Sequence, residues 1–90
     1  MPRIQTYLID DKIWNVIWVP PSNSNLDGGL GICYIDDHTI FIANNLSPEE
    51  ETEVLIEELL HAKLWVVDHD TIKELAFLLN KAFWKTIHGE

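Results

Sequence analysis

Basic residues are few in this sequence. Six lysines and arginines face fifteen aspartates and glutamates, for a net charge of −9 with histidine neutral. Arg3, Lys12, Lys63, Lys73, Lys81 and Lys85 are matched by Asp10, Asp11, Asp68, Asp70, Glu74 and Glu90. The excess therefore lies between residues 13 and 62, where Asp27, Asp36, Asp37, Glu49, Glu50, Glu51, Glu53, Glu57 and Glu58 meet no base. A surface of that sign repels nucleic acid, which argues against direct DNA or RNA binding and suits a metal cation or a partner protein with a basic surface. Cysteine is almost absent too. A single Cys33 excludes an internal disulfide and a cysteine-rich zinc site, fits a reducing compartment, and reads as a small buried hydrophobe on a strand. No apolar run is long enough to span a bilayer, and MPRIQTYLIDD lacks the basic-then-apolar pattern of a signal peptide. The expectation is a soluble cytoplasmic protein with no membrane partner. Repeats and low-complexity tracts are also missing.

What is present is an apolar fraction of 47% in ninety residues, enough for one modest core and one domain spanning residues 1–90. The stretch that organises it is Ser47 to Trp65, SPEEETEVLIEELLHAKLW. Ser47 is a natural N-cap, Pro48 suits the first helical position, and Glu50 completes a capping box. Val54, Leu55, Leu59 and Ala62 recur at helical spacing. Glu57 and His61 are four apart and Glu58 and His61 three apart, so either pair can hold one cation from a shared face. Two acids beside a histidine are more ordinarily solvated surface, and a histidine near a helix end is more ordinarily a packing or capping residue. Glu49, Glu50, Glu51 and Glu53 fall in the first turns, where acids stabilise the helix dipole.

The remainder of the chain reads as strands followed by a second helix. Ile4 to Ile9 alternates, Asp10-Asp11-Lys12 turns, and Ile13 to Val19 is the strongest strand signal. Both of its faces are largely apolar, which predicts a central strand covered on both sides, with Trp14 and Trp18 in the core. Pro20-Pro21 end it, and Ser22 to Gly31 is loop. Ile32 to Ile35 and Thr39 to Ile42 read as a hairpin turned by Asp36-Asp37-His38, with His38 exposed. After a polar loop at Asp68-His69-Asp70, Thr71 caps a second helix that buries Ile72, Leu75, Ala76, Leu79 and Phe83 and ends near Thr86. The fold class is therefore α+β: a small, mostly antiparallel four-stranded sheet, then two helices packed on one side, the first carrying Glu57-Glu58-Leu59-Leu60-His61.

The run Val54-Leu55-Ile56-Glu57-Glu58-Leu59-Leu60-His61-Ala62 resembles the helix of small zincin-like metallopeptidase domains of the kind carried by phages and prophages, whose core reads H-E-L-L-H-A. The likeness extends upstream through Gly31 to Ile35, Thr39 to Ile42 and Leu46 to Glu49, and covers roughly residues 28 to 84. By that resemblance Glu58 corresponds to the catalytic general base and His61 to a metal ligand. The strand before the helix, Thr39, Ile40, Phe41, Ile42 and Ala43, would border the substrate groove and pair with an extended peptide. Ser22 to Gly31 would lie near the cleft, as a flap or as an ordinary connection.

One departure is chemical: Glu57 stands where the family has its first zinc-binding histidine. In the family a carboxylate near the second helix completes the sphere, and that region here is Asp68-His69-Asp70. Glu57, His61 and His69 would keep two imidazoles and one carboxylate, the ligand chemistry of a catalytic zinc site with an open position. Asp70 as third ligand would give an oxygen-richer site suited to manganese or iron. Three outcomes stay open: a metallopeptidase, a metal-binding protein without catalysis, or a metal-free scaffold. A rival from another class is a small acidic protein that binds and inhibits a host protein in the host cytoplasm, by imitating nucleic acid. A di-iron site built on Glu58 and His61 ranks lower, because it needs a second such pair.

Overall fold

Alternating side chains over Arg3–Ile9 and Lys12–Val19 form β1 and β2, an antiparallel hairpin in which Ile9 stands opposite Lys12. The two-residue turn between them places both Asp10 and Asp11 at positive φ, 51° and 64°, the conformation that matches the twist of a tight hairpin. The computed structural model describes residues 3–88. After Pro20-Pro21 the chain makes one 3-10 turn, Ser24–Leu26, capped by the Asn23 side chain. It then runs through β3, Gly31–Tyr34, and β4, Thr39–Ala43. The sheet order is β1-β2-β4-β3, antiparallel at both ends and parallel where β2 meets β4. The α+β architecture, a mostly antiparallel four-stranded sheet followed by two helices, is as the sequence predicts.

Trp14, Val16, Trp18, Ile40 and Ile42 line the sheet face turned toward α1, Pro48–Lys63, and form the main core with Ala62. Ser47 and Glu50 make the capping box reciprocally, so the start of α1 is fixed as the residues demand. The opposite sheet face corrects the expectation that β2 is covered on both sides. Leu26 closes over Val19 and Ala43 at one end, while Leu8 and Ile13 remain exposed at the other. His38 is also not simply exposed: it is half-buried, with its ring 5.0 Å from that of Trp14.

The second helix, α2, spans His69–His88 and packs along α1, while α1 packs on β3 and β4. It begins before the expected Thr71 cap because Asp68 does the capping. The Asp68 carboxylate accepts from the Thr71 backbone N–H at 2.9 Å and from its hydroxyl at 2.8 Å. The buried line of α2 also differs, being Ile72, Ala76 and Asn80, whereas Leu75, Leu79 and Phe83 are exposed. A helix apolar on most of its circumference does not specify from composition which stripe is covered. Asn80 explains the choice, since its amide donates to the Glu49 carbonyl and the Glu53 carboxylate, 3.4 and 3.3 Å away in the first turns of α1.

Candidate metal centre

The last turn of α1 and the first residue of α2 are brought together by a tight return. Leu64 N–H bonds back to the Leu60 carbonyl and Val67 N–H to that of Leu64, so the chain reverses within a few residues. His61 and His69, eight residues apart, consequently face each other with rings stacked at an interplanar angle of 7°. Nε2 of His61 lies 3.1 Å from Nδ1 of His69. Two imidazole nitrogens on one tetrahedral zinc stand about 3.3 Å apart, given Zn–N bonds of about 2.05 Å. Glu57, one turn before His61, completes a trio whose ligand atoms all lie within 4.8 Å of one another. Each of the three offers one ligand atom, so the set could hold one divalent ion.

Of the four metal ligands expected from the sequence, the structure unites Glu57, His61 and His69 and leaves Asp70 out. Asp70 is exposed in the first turn of α2, one residue and so about 100° of helix beyond His69, which turns it away from the group. The oxygen-richer alternative has no geometric support.

Glu58 sits beside this trio and is 5% exposed. It is buried because α1 presses against β3 at Gly31, where there is no side chain. A Cβ there would stand 2.5 Å from Val54 Cγ1 and 3.3 Å from the Glu58 carboxylate. Burial, and then the charge of Glu57, push the Glu58 carboxyl up to about 7. No hydrogen bond from the described residues reaches it, so a buried acid is left with its polar end open toward the cleft. His61 is shifted the other way: burial and then His69 lower its pKa, opposed by Glu57, which favours the neutral imidazole that a metal requires. Burial and the Glu58 charge push the Cys33 thiol up to about 12, so Cys33 is an inert part of the wall, as its strand position suggests.

The cleft has a volume of about 310 Å³ and runs between β3 and the helix seam, lined by Gly31, Cys33, Ile35, Glu57, Glu58, His61, Trp65 and His69, with Ile32 beside them. Here the expected groove strand needs correction. β4 is hydrogen-bonded on both sides, to β2 and β3, and Ile40, Ile42 and Ala43 are fully buried, so Thr39 to Ala43 offers no edge to a peptide. The edge belongs to β3. Ala43 N–H donates to the Leu30 carbonyl, and by antiparallel alternation the backbone groups of Gly31 and Cys33 then face away from β4, along the cleft that both residues line. Sequence reasoning missed Gly31 and Trp65 as site residues. The glycine at a strand start was the available signal, since it marks close backbone approach. Trp65, 69% exposed just beyond α1, carried none.

The acidic first turns of α1 are largely engaged within the chain. Arg3 bonds to Glu51, Lys81 to Glu49, Asn80 to Glu53 and the Ser47 N–H to Glu50. Among the described residues, no helix is long and apolar enough to cross a membrane. Comparison with known protein families, with curated proteins and with solved structures finds no match to this chain.

Proposed function

We propose that this chain is a zincin-like, metallopeptidase-related protein in which Glu57, His61 and His69 hold one divalent ion and Glu58 is the general base. The observation that carries the reading is the meeting of a complete Glu-His-His trio with a buried, unbonded carboxyl in one open cleft. Two imidazoles and one carboxylate suit zinc, with manganese or iron as the next choices. When bound, such an ion lowers the pKa of a water and polarises a carbonyl oxygen.

The chain's own residues account for the rest. Glu58, held near neutrality, takes a proton from the attacking water and returns it to the departing amine, a task that favours a pKa near the working pH. The free backbone groups of Gly31 and Cys33 pair with an extended peptide, which sets its scissile carbonyl beside the trio. Trp65 supplies an apolar wall for a substrate side chain. The rival reading, a small acidic protein that occupies the basic surface of a host protein, has less support. Its four helix-start glutamates already hold partners inside the molecule.

The test is elemental analysis of protein purified without a polyhistidine tag, beside His61→Ala and His69→Ala. About one transition metal per chain, lost in both variants, is the expected result. Glu58→Gln should keep the metal and abolish peptide hydrolysis. A wild type that takes up no zinc, manganese or iron when offered each would overturn the proposal.

A further inference from the structure

α2 is apolar well beyond the line that it buries. Ile72, Ala76 and Asn80 are buried against α1, but Leu75, Leu78, Leu79 and Phe83 are 38%, 55%, 51% and 46% exposed. Their spacing of three and four residues makes them one continuous stripe. At those exposures the four side chains offer on the order of 400 Å² of apolar surface, so two such faces with their flanks reach the roughly 1,000 Å² total of a specific interface.

Charge selects what covers the stripe. A chain of net charge −9 meets a second copy of itself against repulsion almost everywhere, yet α2 holds only two of the fifteen acids and three of the six bases. On the flank of the stripe away from α1 the charges are also self-complementary. Glu74 and Lys85 lie on the same side of the stripe, about 20° apart around the helix. A two-fold axis at Leu79 sets two α2 helices antiparallel and brings like flanks together. Glu74 of each copy then lies within about 1.5 Å, along the axis, of Lys85 of the other. Among the described residues neither forms an ion pair within its own chain, whereas Lys81, farther round, is already bonded to Glu49.

We infer that the Leu75, Leu78, Leu79 and Phe83 face of α2 is the interface of a symmetric dimer, packed antiparallel on the same face of a second copy with two reciprocal Glu74 to Lys85 pairs. The stripe supplies the affinity, and the ion pairs, exposed at the rim, set register and orientation.

Sedimentation of the full chain from micromolar to millimolar concentration tests this, with circular dichroism to verify folding of each variant. The wild type should dimerise, and Leu79→Glu should weaken the dimer about 30-fold or more, as loss of a central interface residue does. Glu74→Lys and Lys85→Glu each place like charges opposite one another and should weaken it several-fold, while the double variant should restore it. These two positions are exposed, so the charge series decides the matter even if Leu79→Glu fails to fold; failure of the double variant to restore the dimer overturns the inference. So does a wild type that stays monomeric throughout, including one that instead co-sediments with phosphatidylcholine vesicles. A dimer that survives Leu79→Glu and is lost in Ile13→Glu assigns the contact to the outer sheet face and overturns it equally.

Discussion

Glu58 carries a free-energy cost that exists for the cleft and not for the fold. Its folded-state pKa, raised to about 7, lies above the ordinary glutamate value of 4.5, so the native state holds its proton more tightly than the unfolded chain. The stability this contributes is fully present below pH 4.5 and is lost as pH rises through 7. In the presence of chelator, Glu58→Gln should therefore match the wild type near pH 4 and exceed it by up to about 3 kcal/mol at pH 8. Urea denaturation at the two pH values reads this directly, and equal stabilities at pH 8 would reject the buried-charge account. Gly31 is the complementary residue. Gly31→Ala forces a methyl group toward Val54 Cγ1 and Glu58, and should cost about 1 to 3 kcal/mol by overpacking. The variant should also shift β3 off α1, so hydrogen exchange at Ile32 and Tyr34, whose amides pair with β4, should accelerate.

At the scale of the element, the first turn of α2 decides where His69 stands. Asp68 caps that turn through Thr71, and these hydrogen bonds hold its carboxyl below the usual aspartate range. The contribution is present above an ordinary aspartate pKa and disappears as pH falls through the depressed folded value. Asp68→Ala should lower the melting temperature and weaken metal binding together, whereas Asp68→Asn, which retains a capping oxygen, should largely preserve both. A variant with unaltered metal affinity would show that the cap does not position His69. The β1–β2 turn offers a simpler case. Asp11 adopts φ of 64° without being glycine, so Asp11→Gly should stabilise the hairpin by about 1 kcal/mol in thermal melts.

For the whole molecule, the trio lies across the seam between α1 and α2, and α2 depends on α1 for its packing. An ion bound there by the native state alone shifts the folding equilibrium by about 2.7 kcal/mol at one hundred times its dissociation constant. Zinc should therefore raise the wild-type melting temperature by several degrees and leave His69→Ala unchanged. A similar rise in both would place the ion elsewhere. Because the core is small, the return of α2 onto α1 is the part of the fold most responsive to such an ion.

Local chemistry determined what the sequence could determine. The Ser47 and Glu50 capping box, the strand alternation of β1 and β2, and the apolar face of α1 depend on residues a few positions apart, and each formed as its spacing required. The i, i+4 placement of Glu57 and His61 is equally local, so two of the three ligands of the candidate centre were readable from one helix. The tertiary structure decided the rest. Strand order made β3 the open edge and enclosed β4, because hydrogen-bond partners across a sheet are chosen by packing over long separations. The turn at Leu64 to Asp68 selected His69 over Asp70, since one residue along a helix rotates a side chain by about 100° and only one of the two can face His61. The same return buried Asn80 and left Leu79 in solvent, because a helix apolar on most of its circumference is oriented by the polar contacts it can satisfy, here those to Glu49 and Glu53.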